Sequence, residues 1–472
     1  MPRLIMHDPH ASRPSLVQRL FQPIDIASLV VFRITFGAIM TWEAFRYLVP
    51  REPDGVSWAR QFYIDPQVLF KYYGFAWVHP WPGEGMIYHL WAWALAAICV
   101  AIGLGYRISA AVLWLLITHM FLLDQTRYLN HMYLICLLSF LLIFLPLNRS
   151  ASIDAMLRPA IRSHVAPAWT LYLLRFQLAA VYIFSGIART NGDWMRGEPM
   201  RMWLRSRAED SLFAPLLMSD WAPYLFSFGG MLFDLLIVPL LLWRRTRAIA
   251  FCTAVFFHLA NAYIFHIGVF PWLGIAATTL FLDPDWPRRL LRRSGATAHA
   301  PAVFPLRRGI VVALALYVIV QLFLPLRHLL YRGRVNWTHE GHNFAWRMKL
   351  DDRRTRVRFY IVHPSTGHRT GVDLNQFLTP RQQHVMSTRP DMLLQFAHHL
   401  ARHHQREFGS ARPQVYADVA VSLNGRPMKP LVHPHIDLTT RQASLGPADW
   451  IVHQELEPIQ RSHRADASRL GQ

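Results

Sequence analysis

From about residue 26 to residue 326 the chain returns repeatedly to apolar runs long enough to cross a lipid bilayer. That leaves few ways to fold. Inside hydrocarbon every backbone N–H and C=O has to be paired internally, so spanning segments are helices or closed barrels. A helix needs about 20 apolar residues to cross the hydrocarbon core. Nine stretches approach that length, near 26–48, 85–105, 109–124, 131–147, 169–188, 222–243, 247–264, 267–282 and 308–326. The third and eighth are short and are expected to tilt or re-enter.

Beyond about residue 330 the pattern becomes polar. RVRFYIVH and GVDLNQFL alternate apolar and polar residues, as half-buried strands do. RQQHVMSTRPDMLLQFAHHLARHHQREFG reads as one or two helices interrupted at Pro390, and VYADVAVSLNGRP as a strand ending in an Asn-Gly turn. The expected fold is a multi-pass α-helical membrane bundle of about nine spans, followed by a β-rich α+β soluble domain. Residues 1–25 are expected to form a cytoplasmic N-terminal segment, without a cleavable leader's apolar region. The bundle is assigned to 26–330, the extracytoplasmic domain to 331–458 and a disordered tail to 459–472.

The formal charge is +20, from 49 basic and 29 acidic residues. The excess lies in short loops such as Arg244, Arg245, Arg247 and Arg288, Arg289, Arg292, Arg293, where arginine fixes membrane orientation. A basic face for nucleic acid would need a binding motif, and none is present. The loop bias places the N-terminus in the cytoplasm, and an odd span count puts the soluble domain outside. In a bacterium this is an inner-membrane protein. The lysines are Lys71, Lys349 and Lys429 alone, so nearly every cation is arginine. Cys99, Cys136 and Cys252 show no disulfide or zinc spacing, and no metal site is expected.

The 49–84 connection is rich in Trp and Tyr and is expected at the membrane interface. The stretch 195–215 reads as an interfacial amphipathic helix. Charges inside spans are costly. Arg33 and Glu43 fall in the first span, Arg175 in the fifth and Asp234 in the sixth, and an Arg175–Asp234 pair is expected.

Three connections gather polar residues at one end of the bundle. LLDQTRYLNHMYL carries Asp124, Asn130 and His131. YIFSGIARTNGDW carries Arg189, Asn191, Asp193 and Trp194. FFHLANAYIFHIGVFPW carries His258, Asn261 and His266. All lie on the same side, beneath the soluble domain, which points to a cleft roofed by that domain. The phosphate-loop, dinucleotide, zinc-protease and serine-hydrolase signatures are absent.

These motifs resemble the vitamin K-dependent γ-glutamyl carboxylase family, within the wider class of horizontally transferred transmembrane domains. The opening FQPIDIASLVVFRITFGAIM, DPDWPRR, NWTHEGHNFAWRMKL and SLNGRPMKPLVHPHIDL extend the resemblance from about residue 20 to about residue 457. It implies that a vitamin K hydroquinone or related quinol, with carbon dioxide and dioxygen as co-substrates, converts protein glutamate to γ-carboxyglutamate. The quinone epoxide is the by-product. The implied partners are the lipid bilayer, the quinol and a glutamate-containing protein or peptide, with no nucleic acid. Such chemistry requires a dry pocket, because water would quench the strong base it generates.

By position in the motifs, His131 is implied to support the anionic quinone, and Trp346 and His342 to contact the glutamyl substrate. Trp194, His258 and Asn261 are further candidates for substrate binding. The family has an aromatic residue where His342 stands. Two other departures bear on catalysis. The family motif GxxKLxxDW places its base lysine where this chain has Arg189, and LDKT reads LDQT, with Gln125. No lysine lies between Lys71 and Lys349, so none from the bundle core substitutes. Arginine keeps its proton, with a pKa above about 12. The base would then be His131, or Asp124 or Asp193 through water. Carboxylase, quinol oxidase or epoxidase without carboxylation, and non-enzymatic peptide binder all remain readings of the sequence. For topology, a reporter fused after residue 458 is expected to read as external; a cytoplasmic signal would overturn the span count.

Overall fold

A computed structural model describes residues 15–209, 213–265, 267–291, 304–363, 365–408, 412–457 and 459. His266, the first part of the N-terminal segment and the tail from residue 460 lie outside the described residues. Nine apolar helices run through the first two-thirds. They are α1 (Ala27–Leu48), α2 (Gly85–Ile102), α3 (Tyr106–Leu123), α4 (Asn130–Phe144), α5 (Trp169–Arg189), α6 (Ala222–Leu242), α7 (Arg247–Phe265), α8 (Phe270–Thr278) and α9 (Arg308–Phe323). Seven of them, counting α9 with its 3₁₀ continuation to Leu330, are long and apolar enough to cross a membrane. The short ones are α4 and α8; the eighth is short as expected, but the other short helix is the fourth and not the third. At 1.5 Å per residue α4 reaches only roughly 22 Å, short of a bilayer core of about 30 Å.

Local chemistry sets the helix ends. Asp25 Oδ1 accepts the Ala27 amide at 2.8 Å, satisfying one open donor at the start of α1. Residues 23–25 pair antiparallel with 165–167, which ties the start of α1 to the start of α5. Gly103 ends α2 in the left-handed region at φ 67°, and a Cβ there would sit 2.4 Å from the Ser152 Cβ. Only glycine fits that turn, which lets α2 and α3 fold back on each other.

Buried charges in the spans are satisfied locally. Arg33 donates to the carbonyls of Leu147, at 2.7 Å, and Ser150, at 3.3 Å. Glu43 pairs with Arg46 at 2.6 Å. The expected Arg175–Asp234 pair does not form. Arg175 donates instead to the carbonyls of Leu280 and Leu282, at 2.7 and 3.0 Å. At the end of the bundle away from the soluble domain, loop arginines meet carboxylates: Arg247 with Asp283 at 2.5 Å and Arg288 with Asp25 at 2.9 Å.

The C-terminal region holds a four-stranded antiparallel sheet in the order β2-β1-β3-β4, with β1 (Arg353–Val362), β2 (Arg369–Gly371), β3 (Gln414–Leu423) and β4 (Lys429–Pro430). A helix, α10 (Pro390–Phe408), packs on it through Phe396, 5.0 Å from Phe359 and edge-on. A shorter helix, Pro380–Met386, precedes α10; each begins at a proline, so the break expected at Pro390 is a helix start. GVDLNQFL is not a strand. Asp373 accepts the Asn375 amide at 3.0 Å and turns Leu374–Gln376 into a 3₁₀ turn.

The two regions share cores. Val68 and Phe70, from the connection after α1, are buried with Trp337, Phe359 and Phe396 in the core of the C-terminal region. Tyr72, two residues on, belongs to the core of the bundle. Burial of a side chain like Phe70 stabilises by about 1.5–3 kcal/mol, so this connection rivets the two regions together. The 195–215 stretch forms a helix at Met200–Ala208, which buries Met200, Leu204 and Ala208 along one stripe.

Candidate active site

The segment 339–349 enters the domain-facing end of the bundle as a plug. Four of its non-glycine residues, His339, Phe344, Trp346 and Lys349, have φ between 49° and 62°. Such conformations are rare for residues with a Cβ and persist only where surrounding packing enforces them. The packing is aromatic. Phe344 lies edge-on to Tyr133 at 4.9 Å, and Trp346, fully buried, stacks on the same Tyr133 at 4.9 Å.

The plug's backbone gathers two of the expected site residues. Asn130, at the start of α4, donates to the Arg347 carbonyl at 3.1 Å and accepts from Tyr128 Oη at 3.0 Å. Arg189, at the end of α5, makes a long 3.5 Å contact with the next carbonyl, Met348. Arg189 Nη1 also donates to Asp234 Oδ2 and to Ser185 Oγ. Its guanidinium carbon lies 5.2 Å from the Trp194 ring. Trp194 is held by a 2.7 Å hydrogen bond from Nε1 to the Ser227 carbonyl.

His131 and His258 flank one ring. Phe270 of α8 lies 5.7 Å from His131 and 5.8 Å from His258. His258 Nε2 is 2.9 Å from Tyr182 Oη. A Cβ on Gly274 would come within 2.3 Å of the His258 ring, so glycine at 274 makes room for that imidazole. Asn261 turns away, donating to the Phe257 carbonyl of its own helix at 2.8 Å.

The two carboxylates suggested as bases are already engaged. Asp193 accepts a bidentate pair from Arg426, at 2.7 and 2.6 Å, and a 2.8 Å hydrogen bond from Asn424. Burial opposes ionisation there, but these donors outweigh it and hold the carboxyl below its usual range. Asp124 accepts from the Thr126 hydroxyl at 2.6 Å and from the amides of Thr126 and Phe70, at 2.9 and 3.3 Å. The His342 ring lies 4.4 Å from that of His339. His339 Nε2 in turn meets Asp351 Oδ2 at 2.8 Å. His342 faces a cavity of about 950 Å³ between the 66–80 connection, the plug, the start of α10 and residues 441–451.

Several buried polar atoms around the plug have no hydrogen-bond partner within the protein: Trp346 Nε1, His258 Nδ1, Arg189 Nε and Tyr72 Oη. Polar atoms set among aromatic rings suit a flat apolar ring with oxygens at its edge, so the residues present fit a quinol.

The sequence missed the plug, the Arg189–Asp234 pair and the Asp193–Arg426 lock. The SLNGRP motif held a signal for the lock, since a turn of that type presents Asn424 and Arg426 at a sheet's end. Asp234→Asn should cost about 3 kcal/mol by leaving the Arg189 charge buried without its partner. Arg189→Met combined with Asp234→Leu should recover most of that loss, read by denaturant unfolding in detergent; equal losses in both variants would show that the pair is not a buried ion pair.

A family model for the HTTM domain matches residues 21–286. A second, for the lumenal domain of vitamin K-dependent gamma-carboxylase, matches residues 306–457. No solved structure matches the chain. With the first match covering more than half of its length, the chain belongs to the gamma-glutamyl carboxylase family of HTTM-domain membrane proteins.

Proposed function

We propose that this gamma-carboxylase-like membrane protein couples oxidation of a reduced vitamin K-type quinol, to its epoxide, with carboxylation of protein glutamate. The observation that carries the reading is the plug, which brings Trp346 into the bundle and sets the Arg347 and Met348 carbonyls against Asn130 and Arg189. When bound, the quinol supplies the reducing power, and its oxidation drives removal of a γ-proton from glutamate.

The protein's own residues have separable tasks in this reading. Trp346, Tyr133 and Phe344 exclude water and supply a flat wall. Arg189, its charge balanced by Asp234, stabilises an oxyanion or carboxylate near the Met348 carbonyl without giving up its proton. His131 and His258, on either side of Phe270, offer hydrogen bonds to a ligand's oxygens. The 950 Å³ cavity, lined by His342, Phe344 and Tyr72, receives the hydroxyl edge of the quinol together with the glutamate-bearing segment, which enters from the soluble side. The N-terminus is cytoplasmic and the C-terminal domain extracytoplasmic, in keeping with the arginine-rich end around Arg247 and Arg288.

A second reading is favoured by one observation. Arg189 stands at the family's base position, so the protein oxidises quinol without carboxylating glutamate. Purified protein supplied with reduced vitamin K separates the cases. Epoxide that rises with a glutamyl peptide supports carboxylation; epoxide indifferent to peptide supports the second reading; no epoxide contradicts both and leaves a peptide-binding membrane protein. Arg189→Lys should raise epoxide formation about tenfold or more, since a positioned base contributes about 10²–10⁴-fold. No gain would mean that residue 189 does not stand at the base position.

A further inference from the structure

If the chain handles an acidic hydroxyl, some group has to accept its proton, and apart from the imidazoles that flank Phe270 the obvious groups are occupied. The Arg189 guanidinium is paired with Asp234. Asp193 is locked by Arg426 and Asn424. Asp124 is filled by Thr126 and the Phe70 amide. The Asp351–His339 dyad sits beside Arg353, and burial holds its imidazole down to about 3, too weak a base for a phenol.

One amine remains. Among the described residues Lys71 is the only lysine in the wall of the 950 Å³ cavity. It arrives from the connection after α1, and it is pinned at three points. Its amide donates to Gln395 Oε1 at 2.8 Å, and its carbonyl accepts from Gln395 Nε2 at 2.9 Å and from Gln125 Nε2 at 2.8 Å. Its Nζ donates to the Leu123 carbonyl at 2.8 Å. Leu123 ends α3, two residues before Gln125. The sequence therefore has no lysine in the DQT turn, yet the fold sets one against it from another segment.

We propose that Lys71 is the proton-accepting amine of this cavity, acting on a weakly acidic hydroxyl of the phenol type on the ligand that occupies it. The proposal rests on the quinol reading above. In the transfer the ligand's O–H bond breaks with its electron pair staying on oxygen, and an N–H bond forms on the neutral Nζ. The resulting ammonium keeps its hydrogen bond to the Leu123 carbonyl and stands near the Asp124 carboxylate. Burial lowers the pKa of Lys71, and Asp124 opposes the shift, so a neutral fraction is present nearer to neutral pH than for a solvated lysine. The other charged or titratable groups around it include Tyr72 beside it, His119 of α3, Arg389, Asp391, His398 and His399 of or next to α10, Arg327, and Glu340 and His342 of the plug.

The plainer role for Lys71 is to cap the open carbonyls at the end of α3. Arginine performs that task as well as lysine but cannot accept the proton, so Lys71→Arg separates the two. With three lysines in the chain, reductive ¹³C-methylation gives three lysine resonances beside that of the α-amine, and their titration is followed by NMR in detergent against a methylated lysine peptide as the solvated reference. Lys71 should titrate below the range of a solvated lysine. In unlabelled protein Lys71→Arg should cut epoxide formation about 10²-fold or more while the melting temperature holds. A Lys71 resonance that titrates with the solvated peptide, or an unimpaired Lys71→Arg variant of a protein that does form epoxide, overturns the assignment to Lys71 alone. A wild-type protein that forms no epoxide overturns the quinol reading, and this proposal with it, whatever Lys71's titration.

Discussion

The arrangement depends first on the bidentate ion pair between Asp193, just past the end of α5, and Arg426, at the tip of the hairpin that follows β3. Neither residue is near the other in sequence, and both are nearly withdrawn from water, with side chains 12 % and 10 % exposed. A paired, hydrogen-bonded charge is tolerable at such a depth, whereas an unpaired one is not. The pair therefore fixes where the soluble region sits. Asn424 extends it: the side chain donates to Asp193 and accepts the Asp352 amide at 2.8 Å, while its own amide donates to the Asp352 carbonyl at 2.9 Å. Asp352 lies three residues past the plug. A charge contact on the bundle is thus mechanically continuous with the segment that carries Trp346 inward.

Behind that lock, the site is assembled from short pieces of distant chain. Asn130 opens α4, Arg189 closes α5, His258 comes from α7 and Phe270 from α8, while Trp346 comes from outside the bundle. Each is positioned by backbone or ring contacts rather than by its own helix alone. The aromatic wall keeps the dielectric low, so the charges of the Arg189–Asp234 pair are little screened. Such an environment favours stabilising a developing negative charge and leaves proton transfer to a group of another type.

Much of the layout was legible in the sequence because hydropathy and period are local properties. The helices of the bundle, the strand RVRFYIVH, the Asn-Gly turn and the break at Pro390 all followed from residues a few positions apart. What failed were questions of depth and partnership. Arg175 and Arg189 are 14 residues apart, close to four helical turns of 3.6 residues, so both fall on the same face of α5. Periodicity cannot say which of them reaches Asp234; their level along the helix axis does. GVDLNQFL alternates like a strand, but the Asp373 side chain offers its backbone a competing hydrogen bond. The absence of lysine between Lys71 and Lys349 was true of the sequence and misleading about the fold. Lys71 returns to α3, and Lys349 follows Met348, whose carbonyl Arg189 touches.

The central claim is that the Asp193–Arg426 lock holds the plug in the bundle. Hydrogen exchange of the 343–348 amides in the charge-reversal variants Asp193→Arg, Arg426→Asp and their combination tests it directly. Each single reversal should speed exchange about a hundredfold, matching a loss of about 3 kcal/mol, and the double reversal should restore most of the protection. Exchange of the plug that is unchanged in both single variants would contradict it.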